Sequence, residues 1–574
     1  MKNIVQEVKI KRLSLLAVFA AVLAVIIFSN PAIGNMREEG TAPESATYVA
    51  QPVFSAESGF YEEPFYLELS AAPNTKIYYT LDCSDPDENA TEYQGSILVE
   101  DVSDKENVYS MLTNVSAGFY SDLIAKYRTI DADPMYKAPD YPVKKCMVVR
   151  AVSVDEHGNR SKIETKSFFV EDDPAFYNGC NIVSIVTDPK NLFDDGIGIY
   201  VTGDVFEDYL LKKRLNQHWR FWEANYRQKG SEWEREVDFT FFNGEGELIL
   251  SSSGGIRTQG GVSRGALPRN LNLYTYEKHR QNSAMNDRLF TQGFVPTKVT
   301  FSAGGNRTIT LFNDCMMSDR TASLNFSKMT FKPYLLFLEG EYWGFYWLTD
   351  AYNERYVSYY YGVEEDDVVI IKNGALETEN SSDILLYDNM KKFIVDSDLS
   401  VPENYEHACE LIDLDSFLDY YACMAYIARQ EDWPMSNYAL WRSKRVGDGP
   451  YADGKWRWML FDCNSASMRI KNLDHNTLSY IISQDAIFAS FWTNADFRAT
   501  FEERIFEIAD TCFDPQEMSD YIDDYIEKMP KTLEHSWARF YGSENDKDTV
   551  FYELMEDHRT FFNERREKVQ SWFE

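Results

Sequence analysis

Two acids and an amide stand out by type and spacing in the stretch from Ala428 to Asn464, ARQEDWPMSNYALWRSKRVGDGPYADGKWRWMLFDCN. Asp432 is followed five residues on by Asn437. A strand-like run, Tyr438 to Arg442, then leads through a Gly/Asp/Pro turn region to a second run, Lys455 to Phe461, which ends on Asp462. A carboxylate at Asp432 can accept or orient the proton of an attacking hydroxyl. The amide oxygen of Asn437 and the carboxylate of Asp462 are hard oxygen donors that suit Mg2+ held on phosphate oxygens. A solvated surface role is the default for any single acid. A hairpin flanked by both acids raises the functional reading above that default. A two-carboxylate glycosidase is the competing chemistry, but it needs neither Asn437 nor the hairpin.

The elements that position these groups belong to a long, acidic chain. At 574 residues it exceeds one ordinary core, and 44% hydrophobic and 15% aromatic content argue against wholesale disorder. The 57 basic and 92 acidic residues give a net charge of −35, which disfavours nucleic acid as a partner and suits a soluble surface or basic partners. Lys2, Lys9, Lys11 and Arg12 precede the apolar run Leu13 to Phe28, and Ala32-Ile33-Gly34 offers small residues for cleavage. Residues 1–34 therefore read as a signal peptide or a membrane anchor, both sending the body out of the cytoplasm, secreted or held at the membrane or cell surface. Eight scattered cysteines show no CxxC pair and are expected to be mostly buried free thiols.

Residues 35–50 are a polar linker, and 51–172 alternate at period two in PFYLELSA, KIYYTLD and MVVRAVSV. With IYYTLDCSDP, VVRAVSVDEHGNRS and TKSFFV, this region resembles the small immunoglobulin-like β-sandwich of chitobiase and hexosaminidase C-terminal domains. Cys83 replaces that family's turn glycine, so a changed turn is expected, and about 40 residues from Asp101 to Tyr141 are an insertion. The resemblance implies a spacer or a weak carbohydrate-contacting module. The turn acids Asp82, Asp85, Asp87 and Glu88 lack the ordered spacing of a calcium loop.

From 180 to 574 the pattern is α+β, with a helix expected over Phe206 to Arg227 and amphipathic helices from Ala486 onward. The tryptophans Trp343, Trp347, Trp433, Trp441, Trp456 and Trp458 fall mostly on strands and are expected in the core. Four blocks in order resemble the CotH kinase family: GGIRTQGGVSRGALPRNLNLY, FSAGGNRTITLFNDCMM, YLLFLEGEYWGFYWLTDAYNERYVSYYYGV, and EDWPMSN through KWRWMLFDCN. The resemblance implies an atypical protein-kinase-like fold behind the sandwich, using ATP and Mg2+ (or Mn2+) to phosphorylate protein hydroxyls.

It also implies Asp432 as catalytic acid and Asn437 and Asp462 as metal ligands. Asn464 stands where relatives often carry a second acid, an amide oxygen that coordinates Mg2+ with less charge. Gly260, Gly261, Arg264 and Arg269 are the candidate phosphate cover, through close backbone approach and guanidinium forks; a glycine-rich turn with surface arginines is the alternative. Arg269 departs from the family's lysine or glutamine. Asp314, at the start of an expected helix, is assigned to metal, to orienting a base, or to capping, and Asp350 to the adenine or ribose. The expected activity is an exported Mg-ATP-dependent kinase acting on Ser/Thr of surface or spore-coat-type proteins, its substrates basic and Ser/Thr-rich. Left open are adenylyl transfer and a catalytically weak kinase fold serving as a surface adhesion or scaffold protein that binds glycan or protein.

Overall fold

The period-two alternation between Pro52 and Val170 forms nine short strands in the computed structural model, which describes residues 49–117, 136–171, 173–212, 221–275, 285–304, 309–430, 432–464 and 468–574. They are β1 to β9: Val53–Phe54, Gly59–Tyr61, Phe65–Leu67, Leu69–Ser70, Thr75–Thr80, Thr91–Glu92, Ile97–Val99, Met147–Asp155 and Glu164–Val170. A five-stranded sheet, β2-β9-β8-β5-β6, faces the pairs β3-β7 and β1-β4. Leu67, Ile97 and Val99 meet Ile77, Val149, Phe168 and Val170 in one core, the expected sandwich. Cys83 takes φ 62°, the left-handed backbone that favours glycine. The leader, most of the linker and part of the 101–141 insertion lie outside the described residues. Among the described residues no helix is long and apolar enough to cross a membrane.

β10 to β16 (Asn181–Val186, Arg235–Phe242, Leu248–Thr258, Leu271–Tyr274, Lys298–Ser302, Phe331–Leu338 and Glu341–Thr349) close a barrel in the order β10-β11-β12-β13-β14-β16-β15. Val183, Ile185, Val237, Phe239, Phe241, Leu271, Leu273, Val299, Phe301, Leu336 and Leu338 alternate along their strands and fill one core. Each such side chain contributes about 1.5–3 kcal/mol by leaving water.

β16 is buried along its whole length because the helix Pro515–Tyr541 covers its outer face, where Phe345 N donates to Ser536 Oγ at 3.3 Å. Gly344 makes that approach possible. At φ 120°, an added Cβ would lie 3.0 Å from Ser536 Oγ and 3.1 Å from Phe540 Cε2. The β15–β16 turn also carries the sandwich: Cys146 N donates to Gly340 O at 2.9 Å. The Glu341 carboxylate accepts Val108 N at 2.6 Å and Ser110 N at 2.7 Å.

Beyond the barrel, β17 to β20 (Val368–Lys372, Ala375–Leu376, Ala439–Ser443 and Arg457–Met459) form a sheet ordered β18-β17-β19-β20. The helix Leu414–Tyr426 behind it is buried at every residue from Ser416 onward, as an all-round apolar helix must be. The helices Ala495–Thr511, Pro515–Tyr541 and Lys547–Gln570 close the chain. The helix expected over Phe206 to Arg227 runs only Gly203–Leu211, with a separate short turn at Asn225–Arg227. Trp222 and Tyr226 fold back into the same cluster as Phe206 and Tyr209, which one straight helix could not do. All eight cysteines are free and all but the half-buried Cys409 are buried, and the six tryptophans above are buried.

Candidate active site

The hairpin register brings two of the candidate residues together. β19 and β20 pair antiparallel with Ala439 opposite Met459. Asn437 lies just before the first of these and Asp462 just after the second, so both leave the hairpin at one end. Both hold left-handed backbone, at φ 55° and 51°, a conformation that Asn and Asp tolerate better than other side chains. The preceding loop is anchored by Trp433, buried, whose Nε1 donates to Tyr420 Oη at 2.9 Å while its carbonyl accepts Tyr480 Oη at 3.0 Å. Asn437 Nδ2 donates to Asp432 Oδ2, which leaves the amide oxygen available to a cation. Arg429 Nη2 donates to Asp432 Oδ1 at 3.3 Å.

Asp314 joins this group from the first turn of the helix Asn313–Arg320. It does not cap the helix; that end has no side-chain cap. Its carboxylate accepts Cys463 N at 2.6 Å and Asn464 Nδ2, and Asn313 Nδ2 donates to Cys463 O at 3.4 Å. The segment after Asp462 is thereby clamped to a helix start some 150 residues earlier. Burial pushes the Asp314 carboxyl up to about 7, and Asp462 pushes the same way against the Cys463 amide, Arg429 and Asn464. Burial also raises Asp462, opposed first by Arg429, with Asp432 adding to the rise and the Asn464 amide and Lys372 pulling down.

A divalent cation fits such a donor set, because it would relieve the cost of desolvating Asp462 and Asp314. No three His, Cys, Asp or Glu side chains among the described residues converge as a ready metal cluster. The protein would supply Asp462 and the Asn437 and Asn464 amide oxygens, with phosphate oxygens and water completing the shell, which is how Mg2+ is commonly held.

Lys372, which acts on Asp462, and three further cations around it escaped the sequence reading. Lys372, the last residue of β17, places Nζ 4.1 Å from the Phe461 ring centroid and acts on Asp462. Lys298, the first residue of β14, lies 5.9 Å from the Tyr274 ring, which Arg257 also covers at 4.3 Å. Arg257 Nε pairs with buried Glu234 at 3.1 Å, and exposed Lys229 acts on Lys372. Burial pushes Lys298 down to about 8, with Lys372 repelling it, and burial likewise lowers Lys372. Glu377 is the acid that opposes both shifts first. Lys298 and Lys372, whose charged forms burial disfavours, are receptive to a polyphosphate. The one available signal was a lysine at the end of an otherwise apolar strand, in TKVTF and VVIIK.

The glycine-rich segment is placed differently from the expectation. Gly260, at φ 113°, has no room for a side chain, since a Cβ would lie 2.1 Å from Ser263 Oγ, while Gly261 faces open space. Arg264 is lowered to about 10 by burial and donates to Arg227 O at 3.1 Å, Gln228 O at 3.0 Å and Thr258 O at 3.1 Å. It thereby holds the loop that carries Lys229. Arg269 is fully buried, 3.9 Å from the Tyr226 ring and 4.8 Å from the Tyr200 ring, and donates to Val115 O. A phosphate contact does not fit that enclosure; Arg269 joins the barrel to the insertion. Asp350 is likewise fully buried and accepts Thr330 N at 2.9 Å, its carboxyl raised to about 7 by burial. It does not join the acidic centre, and a nucleotide contact does not fit its lack of exposed surface.

The family model for CotH kinase protein matches residues 256–569, and the model described as Fn3 associated matches residues 65–168. No curated protein matches the chain. The first match contains every residue of the acidic centre and more than half of the sequence. The chain is therefore a kinase-like member of the CotH family with an N-terminal Fn3-associated β domain.

Proposed function

We propose that this protein is an exported, Mg-ATP-dependent protein kinase that phosphorylates Ser/Thr of surface or spore-coat-type proteins. The observation that carries the proposal is the meeting of Asp432, Asn437 and Asp462 at one end of the β19–β20 hairpin, with Lys372 acting on Asp462. When bound, Mg2+ would be held by Asp462 and the Asn437 and Asn464 amide oxygens and would neutralise charge on the transferring phosphate. Asp432 orients the acceptor hydroxyl and takes its proton as the oxygen attacks the γ-phosphorus; the bond to the β-phosphate oxygen breaks and ADP leaves. Asn437, through its bond to Asp432 Oδ2, ties the base to the metal side. In this reading Lys372 and Lys298 grip phosphate oxygens, and Arg264 holds the loop that carries Lys229.

The leader supports placement outside the cytoplasm, secreted or anchored. The net charge of −35 favours basic, Ser/Thr-rich protein acceptors, and the β domain is assigned a carbohydrate contact. A second reading, a catalytically weak kinase fold serving as a surface adhesion or scaffold module for glycan or protein, draws on one observation. Where a second acid would stand, Asn464 commits its amide nitrogen to Asp314.

The test is transfer from γ-labelled and, separately, α-labelled ATP with Mg2+ or Mn2+ and a basic Ser/Thr-rich acceptor. Label from the γ position, lost in Asp432→Ala and Asp462→Ala, is expected. Transfer from the α position would mean nucleotidylation, and no transfer with no ATP binding would leave the surface-binding reading.

A further inference from the structure

Arg429 is bonded to Asp432 and has no part in the chemistry above. The helix Leu414–Tyr426 ends by donating Ala428 N to Ala425 O at 3.2 Å and Arg429 N to Met424 O at 3.0 Å, a closure that needs a left-handed residue. Ala428 supplies it at φ 58°, although alanine pays about 1 kcal/mol or more for that backbone. The turn drives Arg429 into the interior, where it is 1% exposed. Nη2 donates to Asp432 Oδ1 at 3.3 Å, and Nη1 has no hydrogen-bond partner among the described residues. Its charge also acts on Asp314 and Asp462 and on the Cys463 thiol between the two clamped segments. Lys372 also acts on Asp462, and it stands at a strand end where phosphate is expected.

We propose that the Arg429 guanidinium is the resident counter-cation of the acidic centre, a positioning residue that holds Asp314, Asp432 and Asp462 together before a divalent ion arrives. Three carboxylates gathered from a helix start, a loop and a hairpin end repel one another, and an uncompensated buried charge destabilises a fold strongly. One guanidinium, fixed from the best-buried helix of this half, offsets part of that repulsion at no cost in metal. The proposal rests on the metal-facing reading of Asp462, but its test does not need turnover.

Thermal midpoints of the full chain would be measured in excess chelator and in saturating Mg2+ for wild type, Arg429→Met, Arg429→Lys, Arg429→Met with Asp314→Asn, and Arg565→Met. Arg565 is the control: it is equally buried, but it bonds to the carbonyls of Ala425, Tyr426, Leu473 and His475 and to the Thr477 hydroxyl. Arg429→Met is expected to lie several degrees below wild type in chelator. About half or more of that deficit should be recovered by Mg2+, and a similar share by Asp314→Asn without metal. Arg429→Lys should fall between, and the Arg565→Met deficit should be the same in both buffers. Recovery by Asp314→Asn alone keeps the counter-cation and removes the metal reading. If neither Mg2+ nor Asp314→Asn reduces the Arg429→Met deficit, or if the double variant is as insoluble as an insoluble Arg429→Met, the proposal is overturned.

Discussion

Asn437 and Asp462 flank one β-hairpin at the same open end, and both hold left-handed backbone, at φ 55° and 51°. Neither is glycine, so the fold bears strain at both points to turn an amide and a carboxylate toward the same space. The pairing of Ala439 with Met459 makes the coincidence geometric: slipping the register would carry one residue away from the other.

Binding and chemistry are expected to separate on these residues. Asp462→Ala should abolish detectable Mg-ATP binding by calorimetry. Asp432→Ala should retain it within a few-fold while transfer falls about 10²–10⁴-fold, the usual contribution of a positioned acid or base. Full transfer by Asp432→Ala would remove the assigned role.

The Asp314 carboxyl is raised by burial from 3.8 to about 7. A group that binds its proton more tightly when folded adds stability that is complete below its unfolded value and is lost as pH rises through its folded value. In chelator the thermal midpoint should therefore decline through about pH 7. Asp314→Asn should flatten that decline, by roughly 1–3 °C. Equal slopes for the two proteins would contradict the assignment.

The placement of the cations predicts opposite outcomes for two basic residues. Lys298→Met should weaken ATP binding by about tenfold, as loss of a charge-assisted phosphate contact does, with little change in stability. Arg269→Met should lower the unfolding midpoint in denaturant and leave the ATP affinity of the folded fraction unchanged, because Arg269 is enclosed between Tyr200 and Tyr226.

Two backbone positions predict opposite signs of stability change. Ala428→Gly should raise stability by about 0.5–1 kcal/mol in urea unfolding, since φ 58° suits glycine. Gly344→Ala should lower it by about 1–3 kcal/mol, because φ 120° and the close Ser536 and Phe540 atoms leave a methyl no room.

Much of this was legible in local pattern. Alternation at period two marked the sandwich strands and the hairpin. The order Asp432, Asn437, hairpin, Asp462 named the chemistry because short-range spacing decides which groups a tight turn can bring together. The GEYWG turn was legible as a hairpin, though its attachment to Val108 and Ser110 through Glu341 was not. The glycine-rich segment misled for a related reason: Gly260 and Arg264 report a tight turn and its anchor, and a turn looks the same in sequence whether it covers a phosphate or holds a neighbouring loop.

Spacing and residue type along the chain were enough for the class of fold, the acidic pair and the amide between them, because those depend on contacts a few residues apart. Tertiary structure alone decided that Asp314 clamps Asn464, that Lys372 attends Asp462, that Arg269 and Asp350 are sealed away, and that Arg429 is buried against Asp432. Each of those depends on burial and on contacts across a closed barrel and a second sheet. Charge and hydrogen-bonding capacity are written in each residue, but the desolvation and the partners that give them a role exist only once distant segments pack together.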